Sequence, residues 1–366
     1  MSDLAAPHIL ALTAYEPGKP AKELERELGI RDAVKLASNE NPYGPSPKAI
    51  EAVAGASLDL HRYPDPQGYD LKQALAAHHG VPAEELGLGN GSNELIDLVC
   101  RVFASRGEHA VFGHPSFPCY RIGSIAQELD YTAVPLRDHL HWNVDDLLEA
   151  VTPKTKLLFV ANPNNPTGTY IPGEELERLL RSLPERVLAV IDEAYVEYAD
   201  ATDFAPATRL RHTRQRMAIL RTFSKAYGLA ALRVGYVIGT PDLVAHLDRL
   251  RAPFNVGTAG QVAALVALGD QAHLRSSVEA TIRDRAKLVE DLEASGLRVA
   301  PSQANFVLVD VARPGRAVYD ALLQQGVIVR PMPAPLDSWI RVTVGLADEN
   351  ECFLRSLRGV LKESRG

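Results

Sequence analysis

Four short segments of this chain carry residue types that together do amino-group chemistry. In Thr222-Phe-Ser224-Lys225-Ala-Tyr-Gly228, a lysine is bracketed by a hydroxyl residue and small residues, and Arg233 follows. A lysine meant for solvent needs no such neighbours. Burial and a nearby guanidinium lower its pKa and free the amine as a nucleophile. In Val190-Ile-Asp192-Glu193-Ala194-Tyr195, a carboxylate stands at the end of an apolar run, where it is poorly solvated and needs a partner. Ala161-Asn-Pro-Asn-Asn165-Pro166-Thr-Gly168 also follows an apolar run, and its prolines fix the loop that presents Asn165. Gly87-Leu-Gly89-Asn-Gly91-Ser92-Asn93-Glu94 precedes an apolar helical stretch. Its glycines let backbone N–H groups turn outward, Ser92 or Asn93 is expected to cap the helix, and the helix N-terminus favours an anion.

Each segment alone has a plainer reading as a cap, a turn or a strand end. Together they supply a reactive amine, an acid for a ring nitrogen, an amide for a phenolic oxygen and an anion cradle. Those are the needs of pyridoxal 5′-phosphate. Ser224 and Arg233 then serve its phosphate, the arginine through a two-pronged grip. The glycine spacing fits neither G-x-G-x-x-G nor a P-loop. No histidine or cysteine stands at metal-ligand spacing near Asp192, so no metal is expected. His78-His79 and His139-Leu-His141 read as surface histidines.

These segments need a scaffold that gathers them. Apolar runs at 110–113, 131–135, 157–161, 187–191, 218–221 and 234–239 alternate with helical stretches at 93–105, 118–128 and 173–181. Runs such as 157–161 lack alternation, which suits strands covered on both faces. The rhythm predicts an α/β domain of three layers with a mostly parallel sheet. The pattern changes after about residue 250. Helices over 257–269 and 273–295 follow, the second with Arg283, Asp284, Arg285, Lys287 and Glu290 on its outer faces, and then a smaller α+β unit. The expected division is an N-terminal arm and start of the small domain over 1–40, a large cofactor-binding domain over 41–250, and a small domain over 251–366.

The chain has 366 residues, 46% hydrophobic and 23% charged, with net charge −7. The acidic balance argues against non-specific nucleic-acid binding. Three scattered cysteines suggest a reducing compartment. The first residues lack a signal-like run, and no apolar stretch is long enough to span a bilayer. A cytoplasmic protein is expected, with no membrane partner.

The order of the four segments resembles the fold-type I PLP-dependent aminotransferases, in the class II group marked by Thr-x-Ser-Lys-x-x-Gly. The likeness covers about residues 8–360. Within that group the chain is similar to the histidinol-phosphate aminotransferase family, through Leu12-Thr-Ala-Tyr15-Glu-Pro-Gly-Lys19-Pro, Leu36-Ala-Ser-Asn-Glu-Asn-Pro-Tyr-Gly-Pro-Ser-Pro47, Arg62-Tyr63-Pro-Asp65 and Trp339-Ile-Arg341-Val-Thr-Val-Gly345. The resemblance implies that Lys225 carries the cofactor and acts as general base and acid. It implies that Asp192 pairs with the ring nitrogen, and that Asn165 and Tyr195 bond the ring hydroxyl. It implies that Gly91, Ser92, Asn93, Ser224 and Arg233 hold the phosphate, and that Phe117 stacks on the ring. Tyr63 would reach the neighbouring subunit's phosphate, which implies a homodimer. Tyr15, Asn165, Arg330 and Arg341 would meet the substrate, the arginines gripping a phosphate in one half-reaction and a carboxylate in the other.

The implied reaction converts L-histidinol phosphate and 2-oxoglutarate into imidazole-acetol phosphate and L-glutamate. Aromatic amino-acid aminotransferases share nearly every motif, and Phe117 stands where related enzymes often carry tyrosine. An aromatic aminotransferase is therefore the alternative, and a decarboxylase of a phosphorylated amino acid a third. A transcription regulator of this fold would need an N-terminal DNA-binding unit, for which only about 35 residues precede the motifs.

Overall fold

The computed structural model describes residues 4–13, 18–56 and 61–363. In chain order the strands are β1 (Val34–Lys35), β2 (Leu86–Gly89), β3 (His109–His114), β4 (Asp130–Pro135), β5 (Thr155–Ala161), β6 (Leu188–Asp192), β7 (Met217–Thr222), β8 (Gly235–Ile238), β9 (Arg298–Val299), β10 (Phe306–Asp310), β11 (Val327–Ile328), β12 (Arg330–Pro331) and β13 (Trp339–Thr343). Seven of them form one sheet in the order β2-β8-β7-β6-β5-β3-β4. Its neighbouring pairs are parallel except the two made by β8. Thus β2 to β7 all point the same way. Their carboxyl ends share one edge, and the antiparallel β8 starts from that same edge.

Both faces of this sheet are covered, as the unbroken apolar runs require. One face carries Val160, Ile191, Ile219 and Tyr236 into a core closed by helices Tyr69–His79 and Thr258–Gly269. The other carries Phe159, Val190, Leu220 and Val237 against helix Gly91–Phe103. A second, antiparallel sheet runs β12-β13-β10-β9 and has its own core around Phe353, Leu322 and Val307. β1 pairs with β11, which ties the N-terminal segment to this smaller unit.

Two expectations need correction. Helix Gln271–Ala294 buries Arg285, which donates to the Tyr198 and Ala304 carbonyls and pairs with Asp200 at 2.7 Å. An arginine stem packs well, and its fork satisfies otherwise lone carbonyls. His79 is half-buried, bonded to the Tyr236 hydroxyl at 2.9 Å, and burial pushes its pKa down to about 3. His78, His139 and His141 are exposed. Residues 327–331 hold two short strands, β11 and β12, which serve different sheets. Helix Thr258–Gly269 packs in the core of the large sheet through Ala263, Ala264 and Ala267.

Candidate active site

The shared strand edge opens into a cleft. Ser92 and Asn93 reach it just after β2, Phe117 after β3, Asn165 after β5, Asp192 at the end of β6, and Ser224 and Lys225 after β7. Arg233 precedes β8. This is the crevice at strand carboxyl ends where α/β sheets bind ligands. Arg330 and Arg341 wall it from the small sheet.

Lys225 directs its Nζ to the Ser38 carbonyl at 3.1 Å. Burial, and then the positive charge of Arg341, lower its pKa to about 8, with Glu40 acting the other way. The sequence pointed to Arg233 for this effect, and the structure gives Arg341 the larger share. The small sheet therefore helps set the charge of a group on the large one.

Asp192 is buried, and burial raises its carboxyl to about 6, against the Tyr120 hydroxyl and the backbone at Ala194. Tyr120 donates to Oδ2 at 2.8 Å. Oδ1 is buried with no hydrogen-bond partner among the described residues. A buried carboxylate oxygen left unpaired is costly and marks a place for a donor. The neighbouring Glu193 has a different task. It is fully buried and pairs with Arg221 at 2.7 Å, beneath the cleft floor.

The anion cradle is built from close backbone approach. Arg233 Nη1 donates to Ser224 Oγ at 3.1 Å. A Cβ at Gly91 would lie 2.4 Å from Arg233 Nη2, and Gly91 has φ +73°. A Cβ at Gly235 would lie 2.7 Å from the Ser92 nitrogen. Both glycines thus permit the guanidinium, the β8 start and the helix N-terminus to converge. The expected cap by Ser92 or Asn93 is not found. The helix starts at Gly91, its N-cap is Asn90, and the Asn90 side chain makes no cap bond. This leaves the first turn of a 13-residue helix facing the cleft.

Tyr195 is buried, and its hydroxyl accepts from Asn39 Nδ2 at 2.9 Å. Asn165 Oδ1 accepts a short bond from Arg341 Nη1. Arg341 also donates to the Ala37 carbonyl at 2.8 Å and lies over the Phe306 ring. Arg330 stands directly across the strand pair from Arg341. Like charges in that register oppose strand pairing. Two arginines facing one cleft fit a doubly charged or alternating anionic ligand. Tyr63 is 80% exposed and stacks on Phe254, away from this cleft. Tyr15 lies outside the described residues.

Sequence reasoning passed over Ser38, Asn39 and Tyr120 as site residues. Asn39 has φ +55° and is held by Thr343 and Asn305, so it links small-sheet residues to Tyr195. Its motif was visible, but its partners are far away in sequence. Tyr120 stands three positions after Phe117, one helical turn on, which is the signal that could have found it. Among the described residues no group of three or more His, Cys, Asp or Glu is placed to hold a metal, and no helix is long and apolar enough to cross a membrane.

The site fits pyridoxal phosphate on these observations: an amine of lowered pKa, a buried carboxylate oxygen lacking a donor, and a cradle that a Cβ would fill. Comparison with known proteins agrees. The family described as aminotransferase class I and II matches residues 31–357. A histidinol-phosphate aminotransferase of Anaeromyxobacter sp. (strain Fw109-5) is 44% identical, over 98% of this chain and 99% of its own. Histidinol-phosphate aminotransferase 2 of Pseudomonas aeruginosa is also 44% identical, covering 99% of each chain. Among solved structures, the histidinol-phosphate aminotransferase of Sinorhizobium meliloti in complex with pyridoxal 5′-phosphate superposes with TM-score 0.90 at 31% identity, over 99% of this chain and 98% of that one.

Proposed function

The chain belongs to the class I and II aminotransferases, and within them to the histidinol-phosphate aminotransferase family, and on that footing we propose that it moves the amino group of L-histidinol phosphate to 2-oxoglutarate. The products are imidazole-acetol phosphate and L-glutamate, a step of histidine biosynthesis. The cofactor is pyridoxal 5′-phosphate. When bound, it supplies an aldehyde for the substrate amine and a ring that withdraws electrons.

The chain's residues divide the remaining work. Lys225 Nζ holds the cofactor and is the base that takes the proton from the amine-bearing carbon of the substrate. Its lowered pKa keeps a useful fraction uncharged near neutral pH. Asp192, with its buried Oδ1 lacking a partner among the described residues, would hold the ring nitrogen and favour its protonated form. Asn165 and Tyr195 hold the ring hydroxyl oxygen, and Phe117 covers the ring face. Gly91, Ser92 and Asn93 offer backbone N–H groups to the phosphate, beside Ser224 and Arg233. Arg330 and Arg341 grip the phosphate of one substrate and a carboxylate of the other. Tyr15 completes the substrate side.

The observation that carries this reading is the unpartnered Asp192 Oδ1 in the same cleft as Lys225 and the arginine pair. The test is glutamate formation by the cofactor-loaded enzyme from histidinol phosphate and, separately, from phenylalanine. A kcat/KM for histidinol phosphate at least about a hundredfold higher is expected, since a donor without a phosphate forfeits the charge-assisted hydrogen bonds that Arg330 and Arg341 would make to it. Comparable values for both donors would overturn the assignment.

We further infer a cytoplasmic homodimer. Its support is Tyr63, whose exposed ring stacks on Phe254 and does not line its own cleft, and three cysteines that remain free thiols.

A further inference from the structure

Tyr120 lies outside the four segments first singled out, yet it is fully buried and touches two residues of the cleft. Its hydroxyl donates to Asp192 Oδ2 at 2.8 Å. Its ring stands edge-on to Phe117, with centroids 5.8 Å apart at 80°. The same ring stacks on Phe159 of β5 at 4.9 Å and 13°. Phe159 is itself fully buried, so the Tyr120 ring has no room to turn.

The two carboxylate oxygens of Asp192 are thereby distinguished. Oδ2 is held by a phenol, and Oδ1 is left buried and unpaired. A freely rotating carboxylate would share its lone pairs between both directions. Burial and the Asp192 charge keep the phenol protonated far above neutral pH, so it stays a donor. The geometry points to Tyr120 as a positioning residue that locks Asp192 with Oδ1 facing the cofactor's ring nitrogen, while its ring edge sets the tilt of Phe117 on the cofactor's face. This rests on the cofactor reading of Asp192 given above. Tyr120 touches neither substrate nor cofactor and acts through these two neighbours.

The Tyr120→Phe variant keeps every ring contact and removes only the hydroxyl. The measurement is the dissociation constant of the cofactor-free protein for two ligands. One is pyridoxal 5′-phosphate, and the other is its analogue with carbon in place of the ring nitrogen. The native protein should prefer pyridoxal phosphate. In Tyr120→Phe, affinity for pyridoxal phosphate should fall about ten- to a hundredfold, the worth of a hydrogen bond to a charged group. Affinity for the analogue should change little, so the preference narrows. Equal weakening of both ligands, or an unchanged affinity for pyridoxal phosphate, overturns the positioning role. A native protein with no preference overturns the Asp192 reading itself, and this inference with it. If the single variant folds poorly, Tyr120→Phe is compared within Asp192→Ala, where the carboxylate that the phenol positions is gone. No further loss of affinity is expected there, and a further loss of similar size counts against the proposal.

Discussion

Lys225 and Asp192 each carry, near neutral pH, a charge that their burial resists, and the folded chain bears that cost. Lys225 is lowered from 10.5 to about 8. Between those values the unfolded chain binds a proton that the native one has released, so stability rises with pH across that window. Asp192 is raised from 3.8 to about 6. There the native state binds the extra proton, so stability falls as pH rises through that window. From about pH 6 to 8 both costs apply in full, each about 3 kcal/mol by the usual conversion. Lys225→Met and Asp192→Asn should therefore each stabilise the cofactor-free protein at pH 7, by up to about 3 kcal/mol in urea unfolding. The Asn gain should vanish below about pH 4 and the Met gain above about pH 10.5, near the ordinary values of the two groups. Lys225→Met should also lose at least about 10²–10⁴ in kcat, the worth of a positioned base. A less stable variant at pH 7 refutes the argument for that residue. Lys225, Asp192, Asn165 and Arg233 were legible in the sequence because each sits in a short local motif. Arg341's larger hold on Lys225 was not, because it depends on two residues over a hundred positions apart meeting across the cleft.

At the scale of elements, the site depends on loops leaving one sheet edge at short range. Gly91 shows how tight the fit is. An alanine there meets an unfavourable φ as well as the Arg233 guanidinium. Gly91→Ala should weaken pyridoxal phosphate binding about tenfold or more, read by equilibrium titration, because Arg233 must move off its Ser224 bond. Native affinity in that variant would show that the cradle is looser than its backbone. Beneath the cleft, Glu193 on the β6 end and Arg221 in β7 clamp the two strands that carry Asp192 and Lys225. Arg221→Met leaves the buried Glu193 carboxylate without its counter-charge, and should cost about 3–5 kcal/mol in urea unfolding. A loss under about 1 kcal/mol would mean the pair is dispensable. The strands β3 and β5 to β8 were readable as apolar runs because they are buried on both faces, and the edge strand β4, largely exposed, by its short apolar run alone. β2 was not, since Leu86–Gly89 holds two glycines and its place beside β8 is set by tertiary pairing. Nor were helices Ala21–Leu28, Pro47–Ala56 and Tyr69–His79, which flank the segments at 36–47 and 62–65 that carry the family likeness.

For the whole molecule, the small unit is more than a cover. β13 carries Arg341 to the cleft, Thr343 holds Asn39, and β1 pairs with β11, so residues before 40 join elements near the C-terminus around Lys225. That closure could not be read from local pattern, though the family likeness implied it. What one chain leaves unfilled is the aromatic group that the likeness sends to the phosphate. Tyr63 is on the surface, beside Phe254. If it serves the site of a second copy, the two defects can be separated by subunit. Tyr63→Ala and Lys225→Ala proteins, each nearly inactive, are mixed, dissociated and reassembled. Half of the dimers should then be mixed, and each mixed dimer has one site with native Tyr63 and native Lys225. About a quarter of native activity should return under random pairing. No recovery, with mixed dimers shown by mass to have formed, would place Tyr63 in its own subunit's affairs and remove the main support for shared sites.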